Sequence, residues 1–150
     1  MKHSDQVCSL ELAKKLKELG IKQESLFVWE YYDENCYAIK YFPYAVNNTM
    51  TDIIYSIKFY SAFTSSELGE MLPAAIQSDD KSQSHYKLDI CKSHDNRWLV
   101  AYFKDFNLPP MIALIADKEA DARAKTLIYL IENNLLTMSN GFFSSNEKKS

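Results

Sequence analysis

The hydrophobic and polar positions of residues 116–136 alternate with the period of a helix. Apolar residues recur there at steps of three and four, which places them on one face of an α-helix. These residues are Ala120, Ala124, Leu127, Ile128, Ile131 and Leu135. The pattern predicts one long amphipathic helix over Ala116–Leu136. An apolar face of this length needs a surface to cover, and the preceding segments are typical of strands that would supply a sheet.

The ends of this helix carry matching signals. Asp117 stands at a suitable N-cap position, and acidic residues in the first turn interact favourably with the helix dipole. Asn133 or Asn134 can adopt the left-handed conformation that ends many helices. The i,i+4 spacing predicts two ion pairs, Glu119–Arg123 and Asp121–Lys125.

A shorter helix is predicted near the start of the chain, over Leu10–Leu19. Ser9 is its candidate N-cap. Gly20 stands at the position where a helix favours a left-handed glycine, and the apolar Ile21 follows it. This order is typical of a Schellman ending.

The segment that begins at Phe63 predicts a third helix. Thr64 and Glu67 have the spacing of a capping box, in which each side chain accepts from the backbone of the other residue. Phe63 and Leu68 have the spacing of a hydrophobic staple around it. Pro73 limits the helix to about Leu72, because proline cannot continue a helix without a kink.

Two β-hairpins are predicted from aromatic and β-branched runs that are separated by turn-forming residues. The first joins Leu26–Tyr32 to Cys36–Phe42, and Pro43 ends it. The second joins His85–Cys91 to Arg97–Phe103. In its first strand apolar and charged residues alternate, so one face of that strand should contact water.

Other segments give weaker signals. Ile53–Tyr60 suits either a helix or a strand, and its β-branched and aromatic content favours a strand. Met111–Ile115 is a short apolar run that leads into the long helix. We expect order over about residues 9–138, with flexible ends at 1–8 and 139–150, where polar residues predominate.

These elements predict a single α+β domain of 150 residues. Each of the first two helices is followed by a hairpin, and the faint similarity between Glu11–Ala13 and Glu67–Gly69 suggests two helix–hairpin units. The hairpins would form an antiparallel sheet, and the long C-terminal helix would cover it.

Composition narrows the function classes. The net charge of -3 argues against bulk binding to a phosphate backbone, although it leaves a local basic patch open. The first residues lack the apolar stretch of a signal peptide, and no apolar run is long enough to span a membrane. Three widely separated cysteines do not suggest a disulfide framework. We therefore expect a cytoplasmic protein.

The sequence offers little for catalysis or for cofactor binding. Gly20, Gly69 and Gly141 are the only glycines, so no phosphate-binding loop and no nucleophile elbow can be assembled. We expect no enzyme activity, no cofactor and no metal. The weak candidates for metal binding are His85, Cys91 and His94. The weak candidates for a nucleophile are Cys8, Cys36 and Cys91.

Aromatic residues are the most informative part of the composition. The chain contains ten tyrosines, more than a small core can bury, and tyrosine and tryptophan are enriched at protein interfaces. The alternative is ordinary packing of half-buried strand residues. The candidates for protein contact, either with another protein or with a second copy in a homo-oligomer, are Trp29, Tyr31, Tyr37, Tyr41, Tyr44, Tyr55 and Tyr60.

A second hypothesis is a small regulator that binds nucleic acid. Lysines cluster in and after the first helix, and the aromatic hairpin could stack on bases. The alternative is a solvated lysine-rich face. The candidate residues are Lys14, Lys15, Lys17 and Lys22.

Three blocks of sequence carry a resemblance: Glu24–Phe27, Ala62–Pro73 and Glu119–Lys125. In this order they resemble small proteins encoded by phages and prophages. The resemblance implies a mobile genetic element acting inside a bacterial cytoplasm, and it implies no catalytic residues. We therefore expect a non-catalytic protein-binding module that engages a host or phage protein, for instance to inhibit a host defence or replication factor.

Overall fold

The computed structural model describes residues 2–33, 36–41, 59–77 and 85–136. This part of the chain contains three α-helices and two antiparallel sheets, so the fold is α+β. A 3-10 turn at His3–Asp5 precedes the first helix. The elements in chain order are α1 (Leu10–Glu18), β1 (Phe27–Asp33), β2 (Cys36–Tyr41), β3 (Phe59–Ser61), α2 (Ser65–Met71), β4 (Ala75–Gln77), β5 (His85–Lys92), β6 (Trp98–Phe103), β7 (Ile112–Ala116) and α3 (Glu119–Glu132).

The first sheet has the strand order β2-β1-β3. Its β1–β2 pair confirms the first predicted hairpin, with Trp29 opposite Ile39. On the other side of β1, Trp29 is opposite Tyr60 of β3. β3 overlaps the end of the predicted strand Ile53–Tyr60, whose earlier residues lie outside the described part of the chain.

The second sheet has the strand order β4-β5-β6-β7. Its β5–β6 pair confirms the second predicted hairpin, and Asn96 in the turn has a positive φ of 64°. The apolar run before the long helix forms β7, which pairs with β6. The sequence did not predict β4, a strand of three residues that follows Pro73 closely.

The C-terminal helix exists, but it is shorter than the sequence predicts. Ala116 ends β7, and Lys118 rather than Asp117 is the N-cap residue. The predicted ion pair between Glu119 and Arg123 is present. Asn134, with a φ of 55°, adopts the left-handed conformation expected at the helix end.

The second predicted ion pair, Asp121–Lys125, was wrong. Asp121 instead accepts a hydrogen bond of 2.6 Å from the backbone N–H of Ser9, and its other oxygen lies 3.5 Å from Lys118. Lys125 donates to the carbonyl of Ile115 at the edge of the sheet. Ser9, which is distant in sequence, and the nearer residues Lys118 and Ile115 therefore replace the i,i+4 partner.

α3 is also buried on more than the one predicted face. Ala122, Thr126 and Leu130 are buried as fully as Ala120 and Leu127. The cause is that α3 packs against β6 and β7 on one side and against α1 and α2 on another. The helix is therefore a central element of the core rather than only its cover.

The signals at the ends of α1 were mostly correct. Gly20 has a φ of 85°, its N–H donates to Lys17, and the N–H of Ile21 donates to Leu16. These two bonds are those of a Schellman motif. Ser9 is the N-cap residue, but its side chain makes no capping hydrogen bond.

The predicted capping box of α2 is confirmed in both directions. Thr64 accepts from the N–H of Glu67 at 3.2 Å, and Glu67 accepts from the N–H of Thr64 at 2.7 Å. Phe63 and Leu68 are both fully buried. The helix ends at Met71, before Pro73, as the sequence predicts.

The first residues of the chain are attached to the core, although the sequence predicts flexibility over residues 1–8. Val7 and Cys8 are fully buried. Lys118 at the start of α3 donates to the carbonyls of Ser4 and Val7. The N–H of Cys8 donates to the carbonyl of Phe63.

One hydrophobic cluster connects both sheets with all three helices. Trp29 and Tyr60 of the first sheet pack against the cluster that contains Val100 and Tyr102 of the second. The hairpins thus belong to two sheets with different strand numbers, and the helix–hairpin repeat stays a prediction. Within the described ranges, the helices are all too short or too polar to cross a membrane.

Candidate functional site

The first candidate surface lies where α1 packs on the three-stranded sheet, and we call it the basic aromatic patch. The Lys14 ammonium lies 4.9 Å from the ring centre of Tyr37 and 5.6 Å from that of Tyr60. Lys17 lies 5.0 Å from the Tyr60 ring, and its ammonium also donates to the carbonyl of Phe59 at 3.1 Å. These distances are within the range of cation–π attraction. The patch consists of Lys14, Lys17, Tyr37, Phe59 and Tyr60.

The structure brings together some of the predicted contact residues and separates others. The Tyr37 and Tyr60 rings lie 6.1 Å apart within the patch. Tyr41 is 56% exposed, and its ring lies 5.4 Å from that of Phe27. Trp29 is half-buried, and its indole N–H donates to the carbonyl of Cys8, so it stabilises the fold.

Three other predicted contact residues cannot be placed on a surface. Tyr44 and Tyr55 lie outside the described ranges, and the side chain of Tyr31, on β1, is also outside them. The patch therefore rests on Tyr37 and Tyr60 from the predicted aromatic set.

The predicted lysines do not act as one group. Lys15 pairs with Glu132 of α3 at 2.9 Å, and this carboxylate raises the pKa of the lysine. Lys22 follows α1 and is half-buried. Within the described part of the chain, Lys14 and Lys17 are the two predicted lysines that contact the aromatic rings, and they provide positive charge to the patch.

The second candidate surface is the face of the four-stranded sheet turned away from α3. Side chains alternate along a strand, and the residues that pack into the core are Val100 and Tyr102 on β6. The residues between them point the other way. We call this surface the outer face, and its residues are Lys87 and Asp89 on β5, Leu99, Ala101 and Phe103 on β6, and Ala113 and Ile115 on β7.

The loop after β6 extends this apolar surface. Phe106 is 81% exposed, and its ring lies 5.5 Å from that of Phe103. Asp105 orders the loop, because its carboxylate accepts from the N–H of Asn107 at 2.9 Å and its carbonyl accepts from that of Leu108. The exposed aromatic ring is therefore held on a structured turn.

Sequence reasoning missed this surface. Leu108 is 52% exposed, and Met111 and Ile115 are each 37% exposed. The sequence analysis interpreted residues 107–110 only as an interruption of the strand pattern, so it did not identify these residues as surface candidates. A phenylalanine placed between the turn-forming residues Asp105 and Asn107 was the available signal.

A cleft of about 530 Å³ lies beside the starts of α2 and α3. The Lys118 ammonium at its wall is directed to the backbone of residues 4 and 7 and to Asp121. Glu119 is paired with Arg123. Most charged groups of the cleft are therefore engaged in the fold. The described lining residues are Asp5, Gln6, Thr64, Ser65, Ser66, Trp98, Asp117, Lys118 and Glu119.

The weak metal candidates do not come together. His85 and Cys91 stand at opposite ends of β5, and a strand rises by about 3.3 Å per residue, which separates them by roughly 20 Å. His94 lies in the following turn. Among the described residues, no three histidine, cysteine or acidic side chains are grouped to hold a metal ion.

The cysteines differ in their surroundings. Burial raises the pKa of the Cys8 thiol to about 12, so the reactive thiolate is scarce at neutral pH. Cys91 is exposed. Cys36 begins β2, and its side chain lies outside the described part of the chain. Cys8 therefore serves packing rather than nucleophilic chemistry.

The three sequence blocks Glu24–Phe27, Ala62–Pro73 and Glu119–Lys125 contact one another around α2. Glu67 accepts from the hydroxyl of Ser25 at 3.1 Å and from the N–H of Leu26 at 3.2 Å, which joins the first block to the second. Gly69 lies so close to the Arg123 guanidinium that a Cβ there would overlap it, which joins the second block to the third. These contacts stabilise the packing around α2.

Comparisons of this chain with protein-family models, with curated proteins and with solved structures found no match.

Proposed function

We propose that this protein is a non-catalytic protein-binding module whose basic aromatic patch contacts an acidic surface of its partner. The observation that carries the proposal is the position of the Lys14 and Lys17 ammonium groups over the rings of Tyr37 and Tyr60. Side chains that are already ordered lose less entropy on binding. Tyrosine also supplies both apolar area and a polar group to an interface.

The partner that we propose is a host or phage protein in a bacterial cytoplasm. The resemblance to small phage and prophage proteins motivates this proposal, and it favours a role as an inhibitor of a host defence or replication factor. Inhibition by binding requires only a stable complementary surface, which is consistent with the scarcity of assembled catalytic groups among the described residues.

The alternative is a small regulator that binds nucleic acid through the same patch together with Lys15 and Lys22. The juxtaposition of lysine and tyrosine favours it, because ssDNA and RNA are bound by basic grooves with aromatic rings. Two observations favour protein instead. The lysines occupy ring surface on which bases would stack, and Lys15 is already paired with Glu132.

The test is affinity purification of the tagged protein from bacterial cells, with and without nuclease, followed by mass spectrometry. We expect a protein partner that survives nuclease and is lost from the Lys14→Glu/Lys17→Glu variant. The matched control is Lys2→Glu/Lys92→Glu, which changes the net charge equally but at exposed positions outside the patch. The control should retain the partner.

Other outcomes separate the two functions. Recovery of nucleic acid, with protein partners lost after nuclease treatment, would favour the regulator. A partner that binds the Lys14→Glu/Lys17→Glu variant and the control equally well would contradict the assignment to this patch.

A further inference from the structure

We propose that the outer face of the four-stranded sheet is a dimer interface, on which a second copy of this chain packs face to face about a two-fold axis. The axis would run across the strands, midway between the residue row of Ala101 and the row of Phe103. This interface is separate from the basic aromatic patch, so either proposal can fail alone.

The exposed apolar area around the outer face is large enough to contribute to a contact with a partner. A monomer rarely exposes a contiguous apolar patch of more than a few hundred Å². The exposed parts of Phe106, Leu108, Met111 and Ile115 alone amount to roughly 400 Å², since a large apolar side chain carries about 150–250 Å². Ala113 and the half-buried Leu99 and Phe103 add to this area, whereas Ala101 is fully buried and adds none.

The shape of the outer face is complementary to itself. Ala101 is opposite Ala113 on the neighbouring strand, which makes a row of small residues. The larger pair Leu99 and Ile115 lies on one side of that row, and Phe103 lies on the other. Ala101 is fully buried and Ala113 is exposed, so the depression in this row opens at Ala113. The proposed axis places the row of Phe103 in each copy over the row of Ala101 and Ala113 in the other, so that large side chains lie over this depression. Phe106, next to Phe103, then reaches the row of Leu99 and Ile115.

The charges on β5 match under the same axis. Lys87 is opposite Phe103 in the sheet register, and Asp89 is opposite Ala101. The two-fold axis that places the row of Phe103 over the row of Ala101 therefore also places Lys87 of one copy over Asp89 of the other. Within the described part of the chain, neither side chain has an ion-pair partner. One two-fold axis thus satisfies both sterics and charge, which a two-fold interface requires.

Edge-to-edge pairing of β7 is a less suitable arrangement. The strand has only five residues, and Pro110 before it cannot donate to a ladder. Lys125 already donates to the carbonyl of Ile115. Short strands and lysines at an edge oppose strand addition at β7.

The experiment is sedimentation equilibrium of the purified full chain over a wide range of concentration. We expect a monomer–dimer equilibrium. Lys87→Asp should raise the dissociation constant about tenfold or more, because it places two acidic groups together at two symmetric positions. The exchange Lys87→Asp/Asp89→Lys should restore dimerisation to within about threefold, because the pairs are re-formed with opposite sign.

A second pair of variants tests the apolar contact. Phe106→Ser should weaken the dimer about tenfold or more, whereas Tyr41→Ser, which removes an exposed aromatic ring from the other sheet, should not. Unchanged circular dichroism spectra and cooperative urea unfolding would show that the variants fold. A monomer at every concentration would overturn the proposal, and so would a dimer that Lys87→Asp and Phe106→Ser leave intact. A dimer broken only by Lys14→Glu/Lys17→Glu would also overturn it, by placing the interface at the basic aromatic patch.

Discussion

Among single residues, Glu67 joins the N-terminus of α2 to the chain just before β1. Its carboxylate accepts from the N–H and hydroxyl of Thr64, as a helix cap, and from Ser25 and Leu26 before β1. One side chain thus satisfies a helix N-terminus and also fixes the entry of a strand. Because an unpaired backbone donor is costly to bury, losing this carboxylate affects both elements.

We expect Glu67→Ala to lower the free energy of unfolding by about 2–3 kcal/mol, which combines a lost cap with lost hydrogen bonds. Urea unfolding measures it. Glu70→Ala is the control, since Glu70 is exposed on the same helix and should change stability by less than about 0.5 kcal/mol. Equal effects of the two substitutions would contradict the role assigned to Glu67.

Among the elements, the N-terminal segment and α3 depend on each other. Ser9 donates to Asp121, and Lys118 donates to the carbonyls of Ser4 and Val7. Val7 also forms a bridge to Thr64 at the start of α2. The segment therefore connects the N-terminal ends of α2 and α3.

Removing residues 1–8 should destabilise the protein by about 3–5 kcal/mol, because it deletes the fully buried Val7 and Cys8 and leaves their hydrogen-bond partners exposed or unpaired. Removing only Met1 and Lys2 should have little effect. Thermal unfolding of both truncations checks this, and full stability of the longer truncation would show that the segment is dispensable.

Local signals explain most of what the sequence predicted correctly. The capping box of α2, the Schellman ending of α1 and both hairpins involve residues that are close in sequence, so their patterns could be recognised directly. The bond from Ser9 to Asp121 spans 112 positions, and no short pattern contains it. The same reason explains why the division into two sheets and the burial of α3 on several sides were missed.

For the candidate surfaces too, the sequence showed the residue types but not which residues contact one another. Tyr37, Tyr60, Lys14 and Lys17 were each selected by residue type, but their contact depends on how α1 packs on the sheet. The outer face depends on which side of β6 meets α3. Its alternation of small and large residues becomes meaningful only when the register of β6 and β7 is known.

At the scale of the molecule, the two sheets share a hydrophobic cluster. Trp29 of the first sheet and Trp98 of the second both pack against it, and α3 contacts α1, α2, β6 and β7. Elements that share a core lose their packing together. We therefore expect unfolding in one cooperative transition.

Single-tryptophan variants test this cooperativity. In Trp98→Phe, fluorescence reports Trp29 and the three-stranded sheet, and in Trp29→Phe it reports Trp98 and the four-stranded sheet. Within each variant, the fluorescence and circular dichroism midpoints in urea should coincide. Separate midpoints in either variant would show that the sheets unfold independently.

The contact of Lys125 with the Ile115 carbonyl also bears on how far this protein can polymerise. A chain that recruits copies along an open strand edge has no stopping point, and this is how fibrils propagate. At the β7 edge the lysine and Pro110 oppose that route, whereas the proposed two-fold contact uses up its own surface once it forms. If the proposed dimer forms, strong expression should yield a finite particle rather than a fibre that grows along β7.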